Sequence, residues 1–443
     1  MAPNHTSMPT HDQKTARIVQ ELRARRSTAP LSLKKRAVSH EVPKPDDKRH
    51  QDEKLDISDL NEILEIDPVA RTCVAEPGVT FVDLVAATLR HGLVPYVVPE
   101  LKTITIGGAV AGCSIESMSY KIGGFHDNCL EYEVITAQGD ILLCTPDNEN
   151  RLIFQMVHGT FGTLGIIARL KFRLCPAKPY VHVTYEKYGD LEAYKAAIWR
   201  HYQARDVDFM DGIIHSPQEL VLSVANFCDR APYAHRYDWM RVYYLSTKTR
   251  EEDYLRTADY FFRYDKGVTN VTPRSFFGRL FFGKLLDSDA ILRLVTRFRR
   301  FIPAKMIPVT VDTFIPFSRV TPFLDWYRRE VGFFPLWCVP YKPSHRYEWI
   351  DDAYLKGADD ELFLDLAIYG LPKNPDKDYY RLLEDELTAV GAIKTLISTN
   401  YYSEADFWKI WNRKNYESVK RRTDPDNLFR DLYSKMCRAA RGL

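Results

Sequence analysis

Between residues 55 and 176 the chain alternates short apolar runs with turn residues. LDISDLNEILEID is followed by TCVAEPGVTFVDLVAATLRHGLVPYVV, and brief apolar runs bounded by Gly, Pro, Asn and Asp predict strands. Pro77-Gly78 marks a turn, and 80–89 after it has the spacing of an amphipathic helix. The stretches 130–136 and 140–144 read as two strands joined by the hairpin signal Ala137-Gln138-Gly139. HGTFGTLGIIARLKFRLCP then carries Gly159, Gly162 and Gly165 straight into another strand.

Residues 176–180 mark a boundary, because the texture beyond them is rich in Tyr, Phe, Trp and Arg and poor in glycine. There the patterning predicts helices over 191–203, 251–264 and 290–301, with strands over 336–340 and 362–369. The tail, SEADFWKIWNRKNYESVKRRTDPDNLFRDLYSKMCRAARGL, reads as helix, turn, helix, with Pro425 and Asn427 in the break. At the other end, 12–26 suits one charged helix whose apolar side is Ile18, Val19 and Leu22. No internal repeat or low-complexity tract is visible. Strands and helices in this order predict an α+β protein.

Composition narrows the class. With 443 residues, 45% of them apolar, and a net charge of +2, the chain is not a disordered one. No apolar run reaches the ~20 residues of a membrane span. The N-terminus lacks the apolar core of a secretory signal, so the expected compartment is the cytoplasm, with any membrane association peripheral. Residues 1–54 hold twelve Lys/Arg against seven Asp/Glu, a local charge of +5. Without interleaved aromatics such an arm does not suit nucleic acid; the expectation is a solvated arm, or one facing anionic headgroups. The eight cysteines form no CxxC and no Cys/His cluster at zinc-ligand spacing, so no metal is expected.

Residues 103–117, TITIGGAVAGCSIES, are almost all small and uncharged apart from Glu116. Two uses compete: a tightly packed core helix, or a backbone that approaches a ligand closely where no Cβ intervenes. The second glycine cluster at 159–165, across a hairpin, is hard to explain by packing alone.

The two clusters and their surroundings resemble the flavin-binding domain of the vanillyl-alcohol oxidase superfamily. The matching pieces are Gly92-Leu93-Val94-Pro95, Thr105-Ile106-Gly107-Gly108, 123–128, 136–139 and 159–166. Within that superfamily, VPELKTITIGGAVAGCSIESMSYKIGGF, CTPDNE, GTLGIIARLKFRLCPAKPYV, IYGLPK and the C-terminal FW…LYSKMCRAAR pattern are similar to the Δ24-sterol reductase family, from about residue 30 to the end. Two features depart from the family: its animal and plant members carry a hydrophobic N-terminal segment, and SLKKRAVSH (32–40) stands where the wider superfamily has a GxGxS diphosphate loop.

The resemblance implies a two-part, PCMH-type FAD-binding domain at 30–178 after a basic arm at 1–29. A substrate (cap) domain at 179–400 and a C-terminal helical segment at 401–443 returning to the flavin side complete the chain. It implies a noncovalent FAD, with His40 and His126 as conceivable tethers, and NADPH as electron donor. Pro99, Glu100, Thr105, Ile106, Gly107, Gly108, Ala109, Gly112, Cys113, Ser114, Ser117, Ser119 and Gly123 would surround the cofactor. Gly159, Gly162, Thr163, Gly165 and Ile166 would lie along the ring edge. In this scheme Gly107 and Gly108 offer N–H groups to the diphosphate or ribityl oxygens, and the serines add hydroxyls.

The expected activity is reduction of a sterol or similar isoprenoid side-chain alkene. An isolated C=C has no carbonyl to polarise it, so hydride addition needs a proton donor in a dry pocket. Glu116 is the first candidate, since burial raises a carboxyl pKa; Tyr401 is the second. PRSFFGRLFFGKLL (273–286) suits either buried packing or a membrane-surface patch. Arg293, Arg297, Arg299, Arg300 and Lys305 beyond it suit anionic headgroups or an NADPH phosphate. The rival functions are an FAD-dependent oxidase or dehydrogenase of sugar-like alcohols, and a flavin- or lipid-binding protein without turnover.

Overall fold

The computed structural model describes residues 9–37, 41–42, 44, 46–238, 241–265, 267, 307–355 and 360–443. His40 and the stretch 273–305 with its Phe-rich segment and basic cluster therefore lie outside the described residues.

The chain opens on helix α1 (His11–Ala24), capped by Thr10, whose side chain accepts from the Gln13 N–H while the Gln13 side chain returns the bond. It is not a solvated arm. Ile18 and Leu22 are buried against Ile135 and Ile166, and the nearly buried Lys14 ammonium reaches Glu76 at 3.0 Å and Glu62 at 3.1 Å. An apolar stripe and a cation with a buried partner dock a helix that charge arithmetic alone would leave in water.

Strands β1 (Leu31–Lys34) and β2 (Glu53–Asp56) pair in parallel. A first antiparallel sheet follows, built from β3 (Ile63–Asp67), β4 (Thr72–Ala75), β5 (Leu93–Pro95), β6 (Cys129–Ile135), β7 (Ile141–Cys144) and β8 (Ile166–Pro176). Its order is β3-β4-β8-β6-β7, with β5 also on β8. The hairpin expected at 130–144 is β6–β7, and the expected helix after Pro77-Gly78 is α2 (Phe81–Thr88), capped by Thr80. The small-residue run forms the short helix α3 (Ile106–Ala111), also capped by a threonine, Thr105.

At 176–180 the chain passes from β8 to β9 (Tyr180–Tyr188), which begins a second sheet with β10 (Phe209–Ser216), β11 (Glu219–Cys228), β12 (Glu252–Arg256), β13 (Val309–Val311), β14 (Thr313–Pro316), β15 (Leu336–Tyr341), β16 (Phe363–Leu371) and β17 (Ile393–Lys394). The order is β12-β9-β11-β10-β15-β16-β14-β17, with β13 also on β16. The helix expected over 251–264 is instead β12 and one helical turn, Thr257–Phe261. Asp253 and Leu255 are buried while Glu252 and Arg256 are exposed, a period of two, and Tyr254 stacks on His182 of β9 at 4.3 Å.

This sheet is covered on both faces. Met210, Ile214, Leu336, Cys338, Leu364 and Leu366 pack in one core with the helices Leu191–Ala204, Val320–Glu330 and Tyr379–Ala389. Their alternates Phe209, Ile213, Trp337, Val339, Phe363 and Ala367 join the core of the first sheet. The two sheets thus share one interior.

The C-terminal helices Glu404–Ile410 and Arg413–Thr423 return to the first sheet. The Ala137 N–H donates to the Thr423 carbonyl at 2.8 Å, the Leu31 N–H to that of Leu428 at 2.9 Å, and the Lys420 ammonium to that of Thr163 at 2.8 Å. Asn427, at φ +53°, makes the turn between them and the end of the chain. Among the described residues no helix is long and apolar enough to cross a membrane.

Candidate active site

Where the sheets meet lies a cavity of about 790 Å³ and, adjoining it, a chamber of about 430 Å³. Gly112, Cys113, Phe161, Phe314 and Thr395 belong to both walls. The larger cavity has a glycine wall, a basic end and a floor from the second sheet.

The glycine wall contains Pro99, Glu100, Thr105, Gly107, Gly108, Gly112, Cys113, Ser114, Gly162 and Gly165 from the expected set. Both uses of the small-residue run are realised together. A Cβ on Gly107 would stand 2.5 Å from the Pro77 Cβ, so this glycine serves packing. Gly162, at φ +69°, has no atom within 4 Å of a Cβ position and stands open to the cavity. The expected backbone donors are engaged, however. Gly107 N–H donates to the Pro77 carbonyl at 2.9 Å, and Gly108 N–H to the Thr105 hydroxyl at 3.2 Å.

Other expected residues do not line the larger cavity. Ile106, Ala109 and Ile166 are core residues at 0% exposure. Ser119 accepts from the Glu116 N–H, Ser117 is buried, and Thr163 donates to the Thr160 carbonyl. Gly123, at φ +80°, lies against the Asp127 carboxylate, and Gly159 lines the smaller chamber. His126 is buried among His158, Tyr347 and Trp349, with ring centroids at 5.0, 5.4 and 6.5 Å, and burial lowers its pKa. It reaches neither cavity.

Glu116 also lies behind the wall. Its Oε1 accepts from the Arg263 guanidinium at 3.0 Å, and the same nitrogen reaches Asp211 at 3.0 Å. One cation between two carboxylates cannot satisfy both, and burial, opposed by Arg263 and reinforced by Asp211, lifts Glu116 to about 8. Asp211 in turn accepts from the Tyr264 hydroxyl and the Trp337 indole, so the cluster braces the floor. Tyr401 is elsewhere, its ring under Arg381 and Arg441.

Sequence reasoning missed the floor and the basic end. Phe314, Trp337, Asp365 and Tyr369 come from the cavity-facing side of β14–β16, with Asp312 between β13 and β14. The available signal was an aspartate inside the apolar strand FLDLAIY. At the other end, Lys35, Arg36, Arg49 and Lys435 line the cavity with Glu41. Burial, then Arg49, lower Lys435 to about 7, and its ammonium donates to the Phe161 carbonyl at 2.6 Å. Among the described residues no His/Cys/Asp/Glu group is placed to hold a metal.

A cavity between a glycine-rich sheet and a second sheet is the setting of a cofactor enzyme. Residues 4–145 match the family model of the FAD binding domain. The chain is an FAD-dependent oxidoreductase. Among characterised proteins it is a relative of the Delta(24)-sterol reductases. It is 26% identical to the Homo sapiens enzyme over 412 residues, covering 86% of this chain and 77% of that one. The Arabidopsis thaliana enzyme is 23% identical over 475 residues, 96% and 84% of the two chains. Cytokinin dehydrogenase 6 of Oryza sativa subsp. japonica is 24% identical over 307 residues, 63% and 56%.

Proposed function

We propose that this protein reduces the side-chain C24=C25 double bond of a sterol, or a similar isoprenoid alkene, with NADPH as the source of hydride. The observation that carries the reading is likeness to Delta(24)-sterol reductases along 86–96% of the chain, second sheet included, not only along the cofactor domain.

In this reading the FAD occupies the larger cavity, whose volume of about 790 Å³ suits a dinucleotide. Lys35, Arg49 and Lys435 offer the positive charge that a diphosphate requires, in place of a GxGxS loop. The open backbone at Gly162 and the glycine wall leave room for the flat ring. When bound and reduced, the flavin supplies a hydride. The chain's own part is to exclude water, with Trp337, Phe314 and Phe161, and to furnish a proton. The body of the substrate is placed in the adjoining chamber, whose walls include Tyr341, Tyr347, Trp349 and Trp411, with its alkene reaching the larger cavity past the shared Phe314 and Thr395. The 179–400 stretch then acts as the substrate domain and 401–443 as a segment closing the cofactor side.

The test is anaerobic mixing of the flavin-loaded protein with NADPH, which should bleach the flavin. Desmosterol should then restore its colour and yield a product two mass units heavier. Bleaching by a sugar or polyol in place of NADPH would instead favour the alcohol-oxidising reading.

A further inference from the structure

Reducing an unpolarised alkene requires an acid that is neutral at working pH and faces the substrate. Glu116 and Tyr401 line neither cavity. Five other carboxyl groups line the larger one: Glu41 and Asp47, which both sit against Arg49, and Glu100, Asp312 and Asp365.

Most buried carboxyls among the described residues sit against a cation, as Glu76 does against Lys14, Glu384 against Lys394, Asp424 against Lys420, and Glu116 with Asp211 against Arg263. Asp365, only 4% exposed, has none. Its Oδ1 accepts from the Thr313 N–H at 2.9 Å, the hydrogen bond that reaches this carboxyl among the described residues. A buried carboxylate without a counter-ion is costly, so the group keeps its proton and presents an O–H. Strand alternation fixes the direction: Phe363, Asp365, Ala367 and Tyr369 share the face of β16 that meets the first sheet, and Asp365 and Tyr369 both line the cavity.

We propose that Asp365 is the catalytic acid that protonates the substrate alkene, with Asp312 as its positioning partner. This rests on the alkene-reductase reading above. Asp312 sits across the β13–β14 junction from β16, and its Oδ1 is buried without a partner. Burial raises Asp365 well above the usual carboxylate range, and the charges of Asp312 and Glu100 add to this. Burial holds Asp312 itself to about 6 and Glu100 to about 7. Arg263 and Asp265 bear on Glu100, and Cys338 feels Asp365 from β15. At neutral pH the arrangement is therefore a charged Asp312 beside a protonated Asp365.

The step balances. One alkene carbon takes the hydride released by reduced flavin, which is thereby oxidised. The other carbon takes the Asp365 proton as the O–H bond breaks and a C–H bond forms. Water reprotonates the carboxylate, and a nicotinamide hydride donor restores the reduced flavin.

The experiment compares the flavin-loaded parent with Asp365→Asn and Asp312→Asn. Each protein is chemically reduced under anaerobic conditions and mixed with desmosterol, and flavin reoxidation is followed between pH 6 and 10. Infrared spectra of the resting proteins at pH 7.5 report any protonated carboxyl without substrate. Asp365→Asn should keep its FAD, lose a protonated-carboxyl band and slow reoxidation about 100-fold or more. Asp312→Asn, lacking the repelling charge, should keep the band and move the alkaline limb to lower pH. In deuterated water the product of the chemically reduced parent should gain two deuterium atoms, one through Asp365 and one through the reduced flavin, whose N–H hydrogen also comes from solvent. Reoxidation of Asp365→Asn within threefold of the parent would overturn the proposal, as would loss of FAD from that variant, which would make Asp365 a binding group. A parent that desmosterol cannot reoxidise would overturn the alkene reading and the donor role with it. The infrared difference between parent and Asp365→Asn tells these failures apart, because it isolates the Asp365 proton from those that Glu116 and Glu100 also hold near this pH.

Discussion

Removing Arg263 tests how the cavity floor is held. Its side chain is fully buried, bridges Glu116 and Asp211 at 3.0 Å each, and lies over Tyr260 and Tyr264 with ring centroids at 4.2 and 4.8 Å. Arg263→Met keeps the apolar stem but leaves two buried carboxyl groups without a cation. Breaking such a pair costs about 3–5 kcal/mol, a large share of the ~5–15 kcal/mol by which folded proteins exceed their unfolded chains. Unfolding entropies of about 2.1 cal/mol/K per residue give roughly 0.9 kcal/mol/K for 443 residues. For a chain melting as one unit, the loss in Tm is then about 3–6 °C. The deficit depends on pH with a definite sign. Without the cation Glu116, which burial already lifts to about 8 against the pull of Arg263, holds its proton to higher pH still in the folded state. The variant is therefore closest to the parent near pH 5 and furthest from it near pH 8.5. Differential scanning calorimetry at the two pH values reads both effects. A shift under 1 °C at pH 8.5, or an equal shift at both, would refute the argument.

Three further outcomes are expected. Glu116→Gln removes a group that burial lifts from the ordinary 4.5 to about 8; the stability it lends is present below pH 4.5 and lost as pH rises through 8, so the variant should gain on the parent between pH 5 and 8.5 in a thermal-shift series. Gly107→Ala drives a Cβ to 2.5 Å from the Pro77 Cβ and 3.0 Å from its carbonyl oxygen; this overpacking should cost about 1–3 kcal/mol and lower the purified FAD content, read as visible absorbance per protein. Lys435→Met removes an ammonium from the basic end of the cavity; FAD affinity by flavin-fluorescence quenching should weaken about tenfold, equivalent to ~1.4 kcal/mol, and an unchanged affinity would remove Lys435 from the diphosphate role.

Much of the first sheet was legible because its signals are local. Gly139 closes a hairpin, Thr80 caps a helix, and Gly165, at φ +132°, leads into β8. The helix misread over 251–264 shows the limit: EEDYLRTADYFF has helical spacing, but the open edge of β9 claims its first half. The docking of α1 was hidden for a related reason, since the partner of Lys14 is Glu76, 62 residues away. Within the site, the glycines identify the wall because close approach requires them. The floor is assembled from β13–β16, whose adjacency no local pattern states, so Asp365 looked like one charge among many. Glu116 drew attention by its glycine neighbours, yet those glycines pack one side of the chain while its carboxyl turns to Arg263 on the other.

The last forty residues stitch themselves to the oldest part of the chain's own order: Thr423 to Ala137, Leu428 to Leu31, and Lys435 to Phe161. A polypeptide truncated before residue 401 would possess all six strands of the first sheet and every glycine of both clusters, yet hold an unfinished vessel. Loading with prosthetic group should consequently wait for the whole length to fold, and a premature stop even near the end should give colourless protein.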